Sequence, residues 1–186
     1  GGNIGTPLFD RIADIRPDDF AVLELSSFQL HSMHCAPDVA IITNISPNHL
    51  DVHPDLEDYV SAKCSIYRGQ RPDGVLVLNA KDARTPRFAA EAPGSVRYFS
   101  SVGPVENGVY CSDGVIYRAH GGKAEKLIDV SDIRIPGAHN VENYMAAFAA
   151  TDGLVGQAAC VQVARSFAGV PHRMERIRDL NGITFI

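Results

Sequence analysis

Glu24 is the first side chain whose type and position suggest chemistry. It lies second from last in the otherwise apolar run of residues 20–25, FAVLEL. Such a run predicts a parallel strand buried on both faces, and α/β sheets bind ligands at the carboxyl ends of these strands. A carboxylate that faces a core is costly unless it is paired or bound to a metal. Glu24 therefore indicates either a ligand for a hard cation or a carboxylate that caps a helix or pairs with an arginine.

A second polar cluster follows the apolar run of residues 39–44, VAIITN. His49 and Asp51 belong to this cluster, and they could place an imidazole and a carboxylate at one mouth of the sheet. These side chains serve in proteins as metal ligands or as an acid–base pair. The alternative is a surface histidine without such a role.

Lys63 lies in the apolar stripe of a helix predicted over residues 54–68, on the same face as Leu56, Val60 and Tyr67. Its aliphatic stem could follow that face out to water. Otherwise its ammonium must be paired or chemically changed. A lysine in such a pocket near metal ligands can lose its proton and react with carbon dioxide, and the resulting carbamate is an anion able to coordinate Mg²⁺.

Two asparagines open an alanine-rich helix predicted over residues 140–154. Asn140 is predicted as its N-cap, and Asn143 lies one turn further on, pointing the same way. Two amides on one face could hold the edge of a purine. Alternatively, Asn140 only caps the helix and Asn143 is solvated.

The elements that would position these residues follow a β-α-β order. Residues 75–79 (VLVLN) and 96–100 predict two further strands, and residues 157–167 predict a second late helix. Near the start, Thr6 and Pro7 predict the N-cap and first position of a short helix. This rhythm predicts an α/β fold with a mostly parallel sheet flanked by helices.

Residues 108–130 have a different sequence pattern from the residues before them, because short strand-like runs alternate with hairpin turn pairs. The runs VYCS and VIYR flank Asp113-Gly114, a hairpin turn pair, and Gly121-Gly122 introduces a third short strand. The pattern predicts a small antiparallel subdomain within a single larger domain.

Composition excludes several classes of protein. The 186 residues include 45% hydrophobic and 21% charged residues, which is typical of a chain that buries a core. A net charge of -5 argues against nucleic-acid or membrane-surface binding, and no run approaches the roughly 18 apolar residues of a membrane span. Four widely separated cysteines without a CxxC pair predict reduced thiols in a cytoplasmic protein.

Six segments in order resemble the Mur ligases, ATP-dependent amide-bond ligases of peptidoglycan precursor synthesis. They are GGNIGTP, LELSSFQL, TNISPNHLD, YVSAK, GAHNVENYMAA and FAGVPHRME. The resemblance covers essentially the whole chain, and it implies the central, P-loop NTPase-like ATPase domain of such an enzyme. Within the family, ELSSFQL is more similar to the D-glutamate-adding branch than to the alanine- or diamino-acid-adding branches or to the folylpolyglutamate synthetases.

The resemblance implies the substrates ATP, UDP-N-acetylmuramoyl-L-alanine and D-glutamate, with two Mg²⁺ ions as cofactors. ATP would phosphorylate the acceptor carboxylate, and the amine of D-glutamate would attack the acyl phosphate. Glu24 would bind the Mg²⁺ that bridges the ATP phosphates, and His49 with a carbamylated Lys63 would serve the second ion. The other implied roles are Asn140 and Asn143 near adenine, Asn3 and Ser26 near the UDP-sugar, and His172 and Arg173 in the segment that closes over the nucleotide.

Departures from the family pattern carry further expectations. The chain opens at Gly1-Gly2-Asn3 and stops in the strand-like run GITFI, so we expect an excerpt of a longer protein. The family's phosphate-binding loop, expected just before GGNIG, and its C-terminal domain are not in the sequence, so we expect this chain alone to be catalytically silent. Asn48 stands where the family commonly has aspartate, which changes the charge next to His49.

Two alternative functions remain at this point. The chain could come from another Mur ligase or from a folylpolyglutamate synthetase. It could also be a non-catalytic interaction module of the same fold, although the presence of Glu24, His49 and Lys63 argues against loss of the chemistry.

Overall fold

The computed structural model describes residues 8–46, 53–170 and 177–185. The helices are α1 (Ser27–Ser32), α2 (Leu56–Arg68), α3 (Thr85–Glu91), α4 (Ala138–Thr151) and α5 (Gln157–Ser166), with 3₁₀ turns at Phe9–Asp14 and Val130–Asp132. The strands are β1 (Val39–Ile42), β2 (Val75–Asn79), β3 (Ser95–Ser100), β4 (Gly108–Ser112), β5 (Val115–His120), β6 (Lys123–Asp129), β7 (Arg178–Leu180) and β8 (Ile183–Phe185).

Strands β1 to β6 form one sheet in chain order, and β7 pairs with β8 in a separate two-stranded sheet. The pairs from β1 to β4 are parallel, and β5 and β6 continue the sheet antiparallel. Helix α2 connects β1 to β2, and α3 connects β2 to β3. The predicted α/β class, with a mostly parallel sheet, flanking helices and antiparallel strands, is therefore confirmed.

The sheet is buried on both faces at β2. Leu76 and Leu78 pack into a cluster with Phe88 of α3, whereas Val77 belongs to the opposite cluster with Met145 of α4. All five side chains are at most 1% exposed. Since successive residues of a strand point to opposite faces, the four residues VLVL of β2 are all apolar because helices cover both sides of the strand.

The predicted turns of residues 108–130 are present. Asp113 and Gly114 have φ of 51° and 74°, and Gly121 and Gly122 have 54° and 76°. Two consecutive positive φ values match the twist of antiparallel strands, which explains the sequence preference at both hairpins. Because β4 pairs with β3, these strands extend the main sheet. The division into a subdomain stays a prediction.

The prediction of a strand over residues 20–25 is wrong. This segment carries only an isolated bridge at Glu24, and Phe20 and Val22 are 68% and 79% exposed. Within the described residues, β1 is an edge strand paired with β2 alone, and residues 20–25 add no ladder to it. Apolar composition favours a strand, but only a hydrogen-bonded neighbour completes one.

The first helix also differs from its prediction. Phe9–Asp14 is a 3₁₀ turn, and Thr6 and Pro7 lie outside the described residues. Helix α3 was not predicted, although Pro86 at its start is a helix-initiation signal.

All four cysteines are free thiols, as predicted. Cys64 is fully buried, and burial raises the pKa of its thiol. No helix in the described part of the chain is long and apolar enough to cross a bilayer.

Replacing Phe99 with alanine is expected to lower the free energy of unfolding by about 3–5 kcal/mol. The side chain is 1% exposed in the cluster between the sheet and α4, so its removal leaves a cavity. Denaturant unfolding of the purified chain measures the change. As a control, Phe9→Ala removes a ring that is 81% exposed, and should change the value by no more than about 0.5 kcal/mol. Equal losses in the two variants would contradict this description of the core.

Candidate active site

The carboxyl ends of β1 and β2 are tied together by side-chain hydrogen bonds. The buried Asn79 donates through Nδ2 to the carbonyl oxygen of Thr43 at 3.1 Å. Asp82 accepts the N–H of Ile45 through Oδ2 at 3.0 Å and the N–H of Arg84 through Oδ1 at 2.8 Å. These bonds fix the backbone that leads out of β1 toward the segment containing His49. His49 itself lies outside the described residues.

Helix α2 begins at a polar cap and then buries one face. Asp55 is the N-cap, and its carboxylate accepts the N–H of Asp58 at 2.8 Å. Val60 and Tyr67 are fully buried against the sheet, as the apolar stripe predicted. This packing fixes the rotation of α2 and therefore the direction in which Lys63 leaves it.

Lys63 is half-buried and interacts electrostatically with Glu24. Its Nζ lies 5.7 Å from the centroid of the Tyr59 ring, within the range of a cation–π contact. Burial lowers the pKa of the Lys63 ammonium, and the nearby Glu24 carboxylate opposes part of that shift. Glu24 and Lys63, two of the three predicted metal ligands, are therefore within electrostatic range of each other, although they are distant in sequence.

Glu24 differs from its prediction in burial. The sequence predicted a carboxylate in a buried strand, whereas Glu24 is exposed and forms only an isolated bridge. The reason is the same as for the strand: the residues around it are not enclosed by a sheet. An exposed carboxylate carries a smaller desolvation cost, so burial no longer argues that it must be paired.

Ser26 is the N-cap of α1, a helix that the sequence analysis missed. Its Oγ accepts the N–H of Gln29 at 3.3 Å, and Gln29 Oε1 accepts the N–H of Ser26 at 3.0 Å. This reciprocal pair is a capping box, and the spacing S-x-x-Q was available as a signal.

His53 is a buried, hydrogen-bonded residue that was not predicted from the sequence. It is only 4% exposed, and its two ring nitrogens contact Asp58 at 2.6 Å and Ser27 at 3.0 Å. Hydrogen bonding to His53 holds the pKa of the Asp58 carboxyl below its ordinary value. No local pattern distinguishes this histidine from an exposed one, because its partners come from other segments.

Asn140 is not the N-cap of α4, contrary to the prediction. The helix starts at Ala138 after Gly137, whose φ of 108° suits glycine. Asn140 instead lies in the first turn and donates through Nδ2 to the carbonyl oxygen of Pro136 at 2.6 Å. Asn143 is exposed on the following turn.

The beginning of α4 lies beside the carboxyl ends of β2 and β3. Glu142 accepts a hydrogen bond from Ser101, just after β3, at 2.6 Å. It also lies 3.8 Å from the ammonium of Lys81, just after β2. The two asparagines are therefore at the edge of the sheet toward which the loops after β1 and β2 project.

Mg²⁺ fits these residues under one chemical condition. Glu24 offers the oxygen ligand that the ion prefers, whereas an unmodified ammonium at Lys63 would repel it. A carbamate on Lys63 would convert the repelling group into an oxygen donor. Within the described ranges, no group of three or more histidine, cysteine, aspartate or glutamate side chains could hold a metal ion. Four predicted site residues lie outside those ranges: Asn3, His49, His172 and Arg173.

Comparison with known proteins decides the family. The sequence model of the Mur ligase middle domain matches residues 3–151. The chain belongs to this family. Curated relatives of this Mur ligase domain include the UDP-N-acetylmuramoylalanine--D-glutamate ligases of Acetivibrio thermocellus and Ruminiclostridium cellulolyticum, which are 48% and 46% identical over 185 residues. The alignments cover 100% of this chain and 40% of each relative, so the Mur ligase domain described here spans about two fifths of their length.

Solved Mur ligase structures share the fold. MurF from Acinetobacter baumannii has a TM-score of 0.63 at 22% identity, covering 83% of this chain and 34% of that one. MurF from Thermotoga maritima in complex with ADP has a TM-score of 0.55 at 18% identity, covering 80% of this chain and 34% of that one. At these identities the likeness supports the Mur ligase fold alone.

Proposed function

We propose that the full-length protein is the ATP-dependent ligase that joins D-glutamate to UDP-N-acetylmuramoyl-L-alanine. The observation that carries this proposal is the electrostatic interaction of Glu24 with the half-buried Lys63, whose ammonium also lies over the Tyr59 ring. Relatives named for this reaction, aligned along the whole chain, support the choice of substrates.

The reaction has two steps. A carboxylate oxygen of UDP-N-acetylmuramoyl-L-alanine takes the γ-phosphoryl group of ATP, and ADP leaves. The amine of D-glutamate then attacks the acyl carbon, the amide forms, and phosphate leaves. Phosphoryl transfer of this kind depends on positioning and charge neutralisation rather than on a covalent enzyme group.

Bound Mg²⁺ would neutralise the phosphate charge that develops during the transfer. We propose that Glu24 holds the ion at the ATP phosphates, and that His49 with a carbamylated Lys63 holds a second ion beside the acceptor carboxylate. The other proposed contacts are Asn140 and Asn143 with adenine, Asn3 and Ser26 with the UDP-sugar, and His172 and Arg173 with the closed nucleotide site.

The test is to incubate the full-length protein with ATP, Mg²⁺, UDP-N-acetylmuramoyl-L-alanine and D-glutamate, and to detect the amide by mass spectrometry. We expect one ADP and one phosphate for each amide. Parallel reactions offer L-alanine with UDP-N-acetylmuramic acid, a diamino acid with the D-glutamyl product, and glutamate with a folate. Turnover only in one of these would support the alternative ligases, and no turnover in any would support a non-catalytic module.

A further inference from the structure

A single buried imidazole contacts two helices that carry proposed site residues. His53 Nδ1 lies 2.6 Å from Asp58 Oδ2 in the first turn of α2, and its Nε2 lies 3.0 Å from Ser27 Oγ at the start of α1. The ring also stacks on Phe28 at 5.6 Å and meets the edge of Tyr59 at 5.3 Å.

The hydrogen bonds of His53 have a defined direction when the ring is neutral. A carboxylate can only accept, so Nδ1 carries the proton and donates it to Asp58. Nε2 is then the acceptor for the hydroxyl proton of Ser27. Ser27 is only 2% exposed, so this serine–histidine–aspartate chain cannot present a nucleophile to a substrate. The burial of Ser27 therefore favours a structural link between the two helices rather than nucleophilic catalysis.

The hydrogen bonds of His53 join the two helices that carry the proposed site residues Ser26 and Lys63. Ser27 follows Ser26, the cap of α1, and Asp58 lies just over one helical turn before Lys63 on α2. In sequence, His53 lies four residues after His49.

We propose that His53 is a positioning residue of the ligase, which holds the start of α1 and the start of α2 in one arrangement. The inference rests on the proposed function, because the two helices matter through the proposed site residues they carry, Ser26 and Lys63. A buried imidazole with both nitrogens bonded resists rotation, so it can fix the relative position of the two helices. Residues that orient metal ligands in this way typically contribute about 10- to 100-fold to affinity or activity.

The test uses His53→Phe in the full-length protein, which keeps an aromatic ring for Phe28 and Tyr59 but removes both hydrogen bonds. We expect kcat to fall about 10- to 100-fold and the Mg²⁺ concentration for half-maximal rate to rise. KM for D-glutamate should stay within about twofold, because neither helix is proposed to bind it. A general loss of folded protein would lower the melting temperature, but it would not separate the change in kcat and Mg²⁺ dependence from an unchanged KM for D-glutamate.

His31→Phe is the matched control. His31 also lies on α1 and contacts the same carboxylate, Asp58 Oδ1, at 3.5 Å, but its side chain is 59% exposed. It should leave kcat and the Mg²⁺ dependence within about twofold. Ser27→Ala removes only the hydrogen bond between Ser27 and His53, and it replaces His53→Phe as the test variant if His53→Phe does not fold. In a double-mutant cycle, Ser27→Ala should cost less in the His53→Phe background than alone, because the two residues are coupled.

Hydrogen exchange gives a readout that does not depend on the reaction. In His53→Phe, amide exchange should rise in peptides that contain the starts of α1 and α2, and remain unchanged in β4 to β6. The inference would be overturned if a folded His53→Phe or Ser27→Ala variant had the kinetics and amide exchange of the wild type. It would also be overturned if kcat fell as much in His31→Phe as in His53→Phe. A wild-type protein that forms no amide would instead refute the proposed function, and the exchange measurement would still test the link.

Discussion

Replacing Lys63 with alanine in the full-length protein is expected to lower the rate of amide formation by about 1,000-fold or more. The proposed carbamate supplies an anionic oxygen to Mg²⁺, and a bound metal contributes several kcal/mol of charge stabilisation, each 1.36 kcal/mol corresponding to about tenfold in rate. Lys63→Arg should be equally inactive, since a guanidinium keeps the positive charge and does not form the carbamate. Steady-state assays of product formation measure both variants.

The dependence of activity on carbon dioxide is a second test of the carbamate on Lys63. Wild-type activity should fall in buffers depleted of carbon dioxide and return when bicarbonate is added, whereas the variants should respond to neither. After labelling with ¹³C-bicarbonate, a carbamate signal in the ¹³C NMR spectrum should be present in the wild type and lost in Lys63→Ala. The control is Lys126→Ala, because Lys126 is exposed on β6 in an ion pair with Asp129 and should not affect activity. An active Lys63→Ala variant would refute the carbamate role.

Glu24→Gln is expected to lower kcat by about 100-fold and to raise the Mg²⁺ concentration required for half-maximal rate. The amide has nearly the same size as the carboxylate but lacks the charge that attracts the cation, so the loss reports on metal binding rather than on packing. Because Glu24 is exposed, the substitution creates no cavity and buries no polar group at this position, and the melting temperature should remain within about 4 °C of the wild type.

Glu106→Gln is the matched control for charge. Glu106 is also an exposed glutamate, located in the loop between β3 and β4, so the substitution makes the same change in net charge. It should leave both kcat and the Mg²⁺ dependence unchanged. An effect of the same size in both variants would mean that Glu24 acts through the overall field of the protein, and not as a metal ligand.

Local sequence was sufficient for most of the sheet. Strand β2 was predicted with its observed bounds, and the turn at Asp113-Gly114 was predicted from its residue types. Strand periodicity and turn chemistry act over a few neighbouring residues, so the chain encodes them locally. The capping box of Ser26 and Gln29, which begins the unpredicted helix α1, is an equally local signal.

Burial of single polar side chains depended on distant segments. Glu24 was predicted to face a core, yet it is exposed, because residues 20–25 form no ladder with β1. His53 gave no signal at all, yet it is buried, because Ser27 lies 26 residues away in sequence and still hydrogen-bonds to it.

Residue types and local periodicity were enough to predict the α/β class, the apolar stripe of α2 and the candidate functional residues. The electrostatic interaction of Glu24 with Lys63, and the hydrogen bonds by which His53 joins α1 to α2, follow only from the folded chain. Residue type fixes what a side chain can bind, whereas its exposure and its partners depend on how remote segments pack around it.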